Sequence, residues 1–462
     1  MGSMVDSRSP TTSTPTPFRV LVVGGSYGGL SAALNLQDLC NGRRPRCGPA
    51  PAEGETEQSG VETPNIAIDI TIVDERDGFY HLIGSPLAMA DEAYAQKAWV
   101  LYKDIPALRE PNVRVLHGSV QGLDPKRKVA AFAARGSGTQ TTDLPYDYLV
   151  AAAGLRRVWP VVPQSLRKKQ YLFETSDYTR AATTARHGAV VVGGGAVGIE
   201  MAAELKLVHP EVKVTLVHSR DKLLSAEPLP DEVKDRSLEL LREAGVDVLL
   251  AHRLERTEDA RDAAGNACLS LRFANGHTLL ADHVAMAVSK SVPSTAWLPR
   301  GALDDDGYVR VDATYFYAFP PSYNFLRHER ILTEISLTFP PETPNAAHHL
   351  AVGDMIRWSG IKRCGGAMHM GYYAAHNLHQ RLLASLSSSP IAETPKFLEL
   401  AEIPPMIGLA VGKKAVSYWP GGGVTSGEDV MTVFFGDDLG FTICWNHIRL
   451  GGYKSVPEVS NA

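Results

Sequence analysis

Cysteine is scarce in this chain: five among 462 residues, at positions 40, 47, 268, 364 and 444. So odd and scattered a set makes no disulfide framework, and it points to a reducing compartment. No two cysteines stand in a C-x-x-C or C-x-x-x-x-C arrangement, and Cys40 and Cys47 bracket six residues. No His/Cys cluster has metal-ligand spacing, so no metal is expected. Long apolar runs are missing as well. None reaches the ~18–20 residues that a membrane-crossing helix needs. The polar start, rich in Ser, Thr and Pro through Pro17, lacks the apolar core of a signal peptide. A cytoplasmic protein is expected, with peripheral contact with a lipid surface left open. Dense Lys/Arg runs are absent and the net charge is −5, which removes the usual electrostatic footprint of a nucleic-acid binder.

What is present is ordinary in bulk and specific in detail. Apolar residues make up 44% and charged residues 21%, as in globular proteins, and 462 residues imply two or three domains. The stretch Gly188–Leu205 reads GAVVVGGGAVGIEMAAEL: a β-type run, a glycine turn Gly193-x-Gly195-x-x-Gly198, then a helical pattern. Gly193 permits the tight turn, Gly195 lets a pyrophosphate approach the backbone, and Gly198 allows close packing of helix on strand. The free N–H groups and dipole of the helix N-terminus favour the phosphates. A second copy lies upstream at Arg19–Asn35, RVLVVGGSYGGLSAALN, with Gly24, Gly25, Gly28 and Gly29 in the turn and Ser26 at the second glycine place. Two such folds predict two dinucleotides, FAD and NADPH (or NADH), placed to exchange a hydride.

In chain order, residues 1–17 read as a disordered leader. A first FAD-binding segment spans 18–156, interrupted at 41–64 by a Gly/Pro/Glu/Arg-rich stretch without apolar period, read as a disordered surface insertion. Asp74 ends the second strand. It stands 50 residues after Gly24, but 26 once the insertion is set aside, close to the ~20 expected for an acid that binds the adenosine ribose. The loop Asp77–Asp91 carries His81, a candidate contact to flavin or substrate. A buried strand then ends in Ala152-Ala153-Gly154, where Ala153 and Gly154 let the backbone pass close to FAD.

The second nucleotide unit covers 157–291. Its second strand ends in His218-Ser219-Arg220, basic where NADH binders carry an acid, which favours the 2′-phosphate of NADPH. Residues 292–384 return to the FAD-binding fold, with Gly353-Asp354 placed to hold the ribityl hydroxyls and Lys362 just before a helical pattern at Ala367–Leu383. Within them, 315–336 is an aromatic-rich interruption, either an inserted segment or a retained intron. Residues 385–462 read as a small C-terminal domain with β-type runs at Ile407–Val411, Ala415–Tyr418 and Val430–Phe435. It either covers the flavin or makes a homodimer contact.

The fold class expected is α/β, with two Rossmann-like dinucleotide-binding domains, the NAD(P) one inserted in a discontinuous FAD one, plus a small α+β C-terminal domain. On VVGGSYGGLSAA, TIVDERDGFYH, VVVGGGAVGIEMAAEL, VTLVHSR and LAVGD, the chain resembles the two-dinucleotide flavin reductases. Within them it is most similar to the apoptosis-inducing-factor-like branch that includes the ferroptosis-suppressor type of NAD(P)H:quinone oxidoreductase. The resemblance runs over about residues 18–450 and implies that Glu200 lies beside nicotinamide and flavin at the hydride-transfer point. Ser26, the Ala152-Ala153-Gly154 crossover and Ser289 depart from the usual Gly, Ala-Thr-Gly and Gly. With no local cysteine pair, electrons are expected to pass from flavin straight to a quinone or another small organic acceptor. A flavin enzyme of secondary metabolism and a redox-sensing cell-death effector are the alternatives.

Overall fold

A computed structural model of the chain describes residues 16–48, 64–138, 140–288, 291–311, 313–314, 334–335, 337–358, 360–387, 395–401 and 404–452. Nearly all of the leader, most of the 41–64 stretch, Ser289 and the interior of 315–336 lie outside these residues.

The first sheet has seven strands. Five run parallel in the order His349–Ala351, Tyr148–Ala151, Phe18–Val23, Ile68–Asp74 and Val113–Asp124; Val129–Ala134 and Thr142–Pro145 follow antiparallel at one edge. Phe18–Val23 and Tyr148–Ala151 are near-continuous apolar runs because helices and loops cover both faces of the parallel part. Val113–Asp124 is the longest of these strands because the Val129–Ala134 hairpin partner extends its ladder beyond the parallel pairing with Ile68–Asp74.

Between these strands the chain builds a second parallel sheet, ordered Asp247–Leu249, Val214–Val217, Ala189–Val192 and His283–Met286. An antiparallel sheet of Leu254–Arg261, Ala267–Phe273 and Thr278–Ala281 accompanies it. The outward and returning crossings, Leu155–Arg157 and Ser291–Pro293, pair antiparallel with each other.

The helix Tyr27–Cys40 is buried at every position. It packs along the 23-residue helix Cys364–Leu386, and small residues on both (Gly28 and Ser31 against Ala367 and Gly371) let the backbones come close. The Ser31 hydroxyl donates to the Met368 carbonyl at 2.7 Å across this seam.

The C-terminal residues form an antiparallel sheet, Ile407–Val411, Lys414–Trp419 and Gly423–Gly427, followed by helices Glu428–Phe434 and Phe441–His447. The run expected as a strand at Val430–Phe435 is therefore helical up to Phe434. Glu428 and Asp429 in its first turn suit the positive end of a helix dipole, and Val430 is buried while Val433 is exposed.

A second correction concerns 41–64, whose opening residues are packed. Arg46 is 7% exposed and its Nε meets Asp38 Oδ2 at 2.8 Å, while its Nη1 donates to the carbonyls of Ile448 and Arg449. That ties the end of the first helix to the C-terminus. Asp38 is fully buried, and Arg43 also reaches it at 3.1 Å. Truncating Arg46 strips one of the cations that neutralise this carboxylate. Arg46→Ala should lower stability by about 3 kcal/mol in chemical denaturation; a loss within ~0.5 kcal/mol, usual for surface positions, would show that the pair is not needed.

Candidate functional site

Gly24 and Gly193 close the two glycine turns with φ of 111° and 125°, conformations that side chains rarely adopt. At Gly24 a Cβ would collide with the Ala152 carbonyl, and at Gly193 with that of Ala287. Each turn therefore fixes its own sheet's neighbouring strand end. The helices that follow begin at Tyr27 and Ala196, after N-cap residues Ser26 and Gly195 that make no side-chain capping bond. Their first N–H groups are left for a ligand.

In the first turn, the Asp74 carboxylate accepts the Gly25 N–H at 2.6 Å and the Arg76 N–H at 2.7 Å. A carboxylate offers about four lone-pair sites, so capacity for ribose hydroxyls remains. Burial pushes this carboxyl upward, partly offset by Arg76 and the two N–H donors. The Tyr102 hydroxyl donates to the Gly25 carbonyl at 2.8 Å and stiffens the loop from the other side.

In the second turn the basic corner differs from expectation. His218 Nδ1 accepts the Gly194 N–H at 3.1 Å, so the ring is neutral there, and Nε2 pairs with Ser225 Oγ at 3.0 Å. Burial lowers its proton affinity. His218 props the glycine loop rather than presenting a charge. Arg220 is exposed two residues on, outside the lining of the cleft that His218 and Ser219 share with Arg253 and Arg256.

That cleft, of about 1080 Å³, runs from Gly193–Val197 past Glu200 to Asp354, Lys362, Arg363, Cys364 and Ala367. It joins the second glycine turn to the first fold. Asp354 lies in the turn after His349–Ala351, where Gly353 has φ 77°, and Arg157 stands 3.6 Å from its carboxylate. Burial raises the Asp354 carboxyl while Arg157 and Lys362 pull it back. Lys362 Nζ donates to the Ile356 carbonyl at 3.0 Å and lies 4.6 Å over the Tyr308 ring; burial depresses its proton affinity.

Glu200 faces this inner end. Burial first, then repulsion from Glu204, pushes its carboxyl up to about 8, partly offset by the Ala410 backbone. Glu204, one turn on and 1% exposed, is pushed up to about 8 by burial, and its Oε1 has no partner among the described residues. His81 does not reach the cleft. It is fully buried, with Nε2 against the Leu439 carbonyl at 3.0 Å and Nδ1 against the Tyr27 hydroxyl at 3.0 Å. A carbonyl can only accept, so Nε2 carries the proton and Nδ1 accepts from Tyr27. Burial lowers the ring to about 4, and the neutral imidazole serves to hold Tyr27, which does line the cleft.

The residues fit FAD and NAD(P)H. A side chain at Gly195 would project into open space, as a pyrophosphate cradle requires, and two helix N-termini with cations Arg157, Lys362 and Arg363 surround the inner end. Tyr27, Arg157, Arg363 and Cys364 escaped the sequence reading. Arg363 and Cys364 had one available signal, their place just ahead of the helical pattern beginning at Ala367. Among the described residues no group of three or more His, Cys, Asp or Glu side chains converges to hold a metal.

Two glycine-turn folds sharing one cleft define a dinucleotide-dependent α/β oxidoreductase. The chain belongs to the pyridine nucleotide-disulphide oxidoreductase family, whose profile matches residues 18–316, and it is an FAD-dependent, NAD(P)H-dependent flavoprotein. It is 46% identical to oxidoreductase OXR1 of Ajellomyces capsulatus over 96% of this chain and 89% of that protein. It is 29% identical to human ferroptosis suppressor protein 1 over 56% of this chain and 57% of that one. Solved structures share the fold. A water-forming NADH oxidase from Lactobacillus brevis, bound to NADH, aligns with TM-score 0.55 and 15% identity over 87% of this chain and 74% of its own. A NAD-dependent persulfide reductase from A. fulgidus aligns with TM-score 0.56 and 18% identity over 87% and 63%.

The two raised carboxyls make a pH prediction. Their proton affinity is higher folded than unfolded, so their contribution to stability is full below about 4.5 and is lost as pH rises through about 8. Glu204→Gln, which cannot ionise, should flatten the fall of Tm between about pH 4.5 and 8. Scanning fluorimetry checks this, and unchanged slopes would show that Glu204 carries its charge in the folded chain.

Proposed function

We propose that this flavoprotein takes a hydride from NADPH at the Glu200 end of the cleft and passes the electrons to a quinone or a similar small organic acceptor. The observation that carries the reading is the continuity of one cleft from Gly195 to Asp354 and Lys362. An extended dinucleotide held by the second glycine turn would bring its nicotinamide to the inner end, where bound FAD supplies the two-electron acceptor. Hydride transfer asks mainly for positioning.

The protein's own contributions can be assigned by residue. Gly193, Gly195 and Gly198 form the pyrophosphate cradle, Arg220 offers the charge for a 2′-phosphate, and Glu200, neutral near pH 7, can donate a hydrogen bond to the carboxamide. Asp354 would orient the ribityl chain. Lys362, Arg363 and the helix N-terminus at Cys364 would stabilise negative charge developing on the pyrimidine side. An apolar acceptor is supported by one wall: Gly408 lines the cleft beside the Phe434 ring, which is 49% exposed. The resemblance to the ferroptosis-suppressor type of quinone reductase points the same way. Contact with a lipid surface or with a second copy of the chain would use the exposed side chains of Val433 and Phe434. Among the described residues no helix is long and apolar enough to cross a membrane.

Purified protein should carry a flavin spectrum that NADPH bleaches anaerobically and a short-chain quinone restores. Absence of flavin would end the reading, and bleaching that quinones fail to reverse would remove the quinone while leaving the reductase. Arg220→Ala should raise the KM for NADPH about tenfold, the worth of one charge-assisted phosphate contact, with KM for NADH nearly unchanged. Equal effects on both nucleotides would exclude the 2′-phosphate role.

A further inference from the structure

A pair of thiols stands beside the cleft without a part in the hydride path. Cys364 is the first residue of the helix Cys364–Leu386 and lines the inner end of the cleft. Cys444 is 3% exposed, on the helix Phe441–His447. Their sulfurs lie 3.9 Å apart although 80 residues separate them in the chain. No spacing rule finds such a pair, because only the docking of the last helix makes it. We propose that Cys364 and Cys444 are a peroxide-reactive dithiol that closes to a reversible disulfide, stapling the last helix to the wall of the cleft.

Access and charge give the two sulfurs different roles. A peroxide-reactive cysteine needs thiolate character, exposure and a resolving partner. Cys364 is half-buried and reached through the cleft; Cys444 lies behind it. The hydrogen bond from the Cys444 S–H, then the Gly365 N–H and Arg363, hold the Cys364 thiol below its ordinary range. That same contact, with burial, holds Cys444 well above it, so Cys444 keeps its proton. The Cys364 thiolate attacks one oxygen of hydrogen peroxide. The O–O bond breaks, the sulfenic acid forms on Cys364, and hydroxide leaves to be protonated to water. Cys444 then attacks the Cys364 sulfur; the S–S bond forms, the S–O bond breaks, and the Cys444 proton leaves in a second water. Two thiols and one peroxide give one disulfide and two waters. The sulfurs must approach to about 2 Å, a shift of the size that rotation about the two Cα–Cβ bonds provides.

The staple would act on a packed element. The Phe441–His447 helix carries Phe441 and Trp445, stacked at 5.6 Å, and leads into Ile448 and Leu450, both fully buried in the main core. Cross-linking it to Cys364 fixes the side of the cleft next to Lys362 and Arg363.

The test uses the flavin-loaded full chain, treated with a few equivalents of hydrogen peroxide, alkylated, digested and mapped by mass spectrometry. A linked Cys364–Cys444 peptide that dithiothreitol removes is expected, and it should survive in Cys47→Ser. In Cys444→Ser the linked peptide should vanish and dimedone should trap a sulfenic acid on Cys364. In Cys364→Ser peroxide should leave Cys444 unmodified. Wild-type protein in which both thiols remain alkylatable after peroxide would overturn the proposal whatever the variants do. A Cys47-linked peptide in place of the Cys364–Cys444 one would overturn it as well.

Discussion

The cleft depends on how closely two helices can approach. Tyr27–Cys40 and Cys364–Leu386 come from opposite ends of the first fold, yet they lie against each other through glycines, alanines and one serine. Larger side chains would push them apart by the width of those side chains. Both N-termini, at Tyr27 and at Cys364, line the same cleft. The seam therefore sets the distance between two positive helix ends, and with it the place where a reduced, negatively charged ring could rest.

Charge in this region is arranged around burial. Arg157, Lys362 and Arg363 bring cations to the inner end, while burial pushes the carboxyls of Glu200, half-buried on the cleft wall, and Glu204 up to about 8 and lowers Lys362. A neutral acid beside a cationic wall can donate a hydrogen bond without cancelling the field that favours an anion. Two ionised glutamates in their place would oppose that field.

Much of this was legible in the chain because the chemistry is local. Glycine turns between a strand and a helix specify themselves within about ten residues, so Gly24 and Gly193 could be placed with their strands and helices. Asp74 could be found across a long interruption because a strand end must follow a strand. What escaped was made by distant segments meeting. His81 faces Tyr27 and Leu439 rather than the cleft, which depends on where the C-terminal residues dock. Arg46 finds Asp38 and the carbonyls near the C-terminus. Cys364 meets Cys444 for the same reason. The run at Val430–Phe435 misled because a short, almost wholly apolar run suits a strand as well as a helix, and the acidic first turn decides between them.

The paired crossings have a mechanical consequence. Leu155–Arg157 and Ser291–Pro293 are hydrogen-bonded side by side, so the chain leaves for the nucleotide unit and returns from it through one short two-stranded ribbon. The ribbon is not the unit's only support: the helix Ala196–Val208 packs on Ser85–Ala88 of the first fold and on Ile407–Val411, and its Ile199 and Met201 share a core with Leu409 and Val411. The span between Gly195 and Asp354 therefore rests on two piers, a hydrogen-bonded one and an apolar one, and a change at either would be felt as a change in the width of the passage between them.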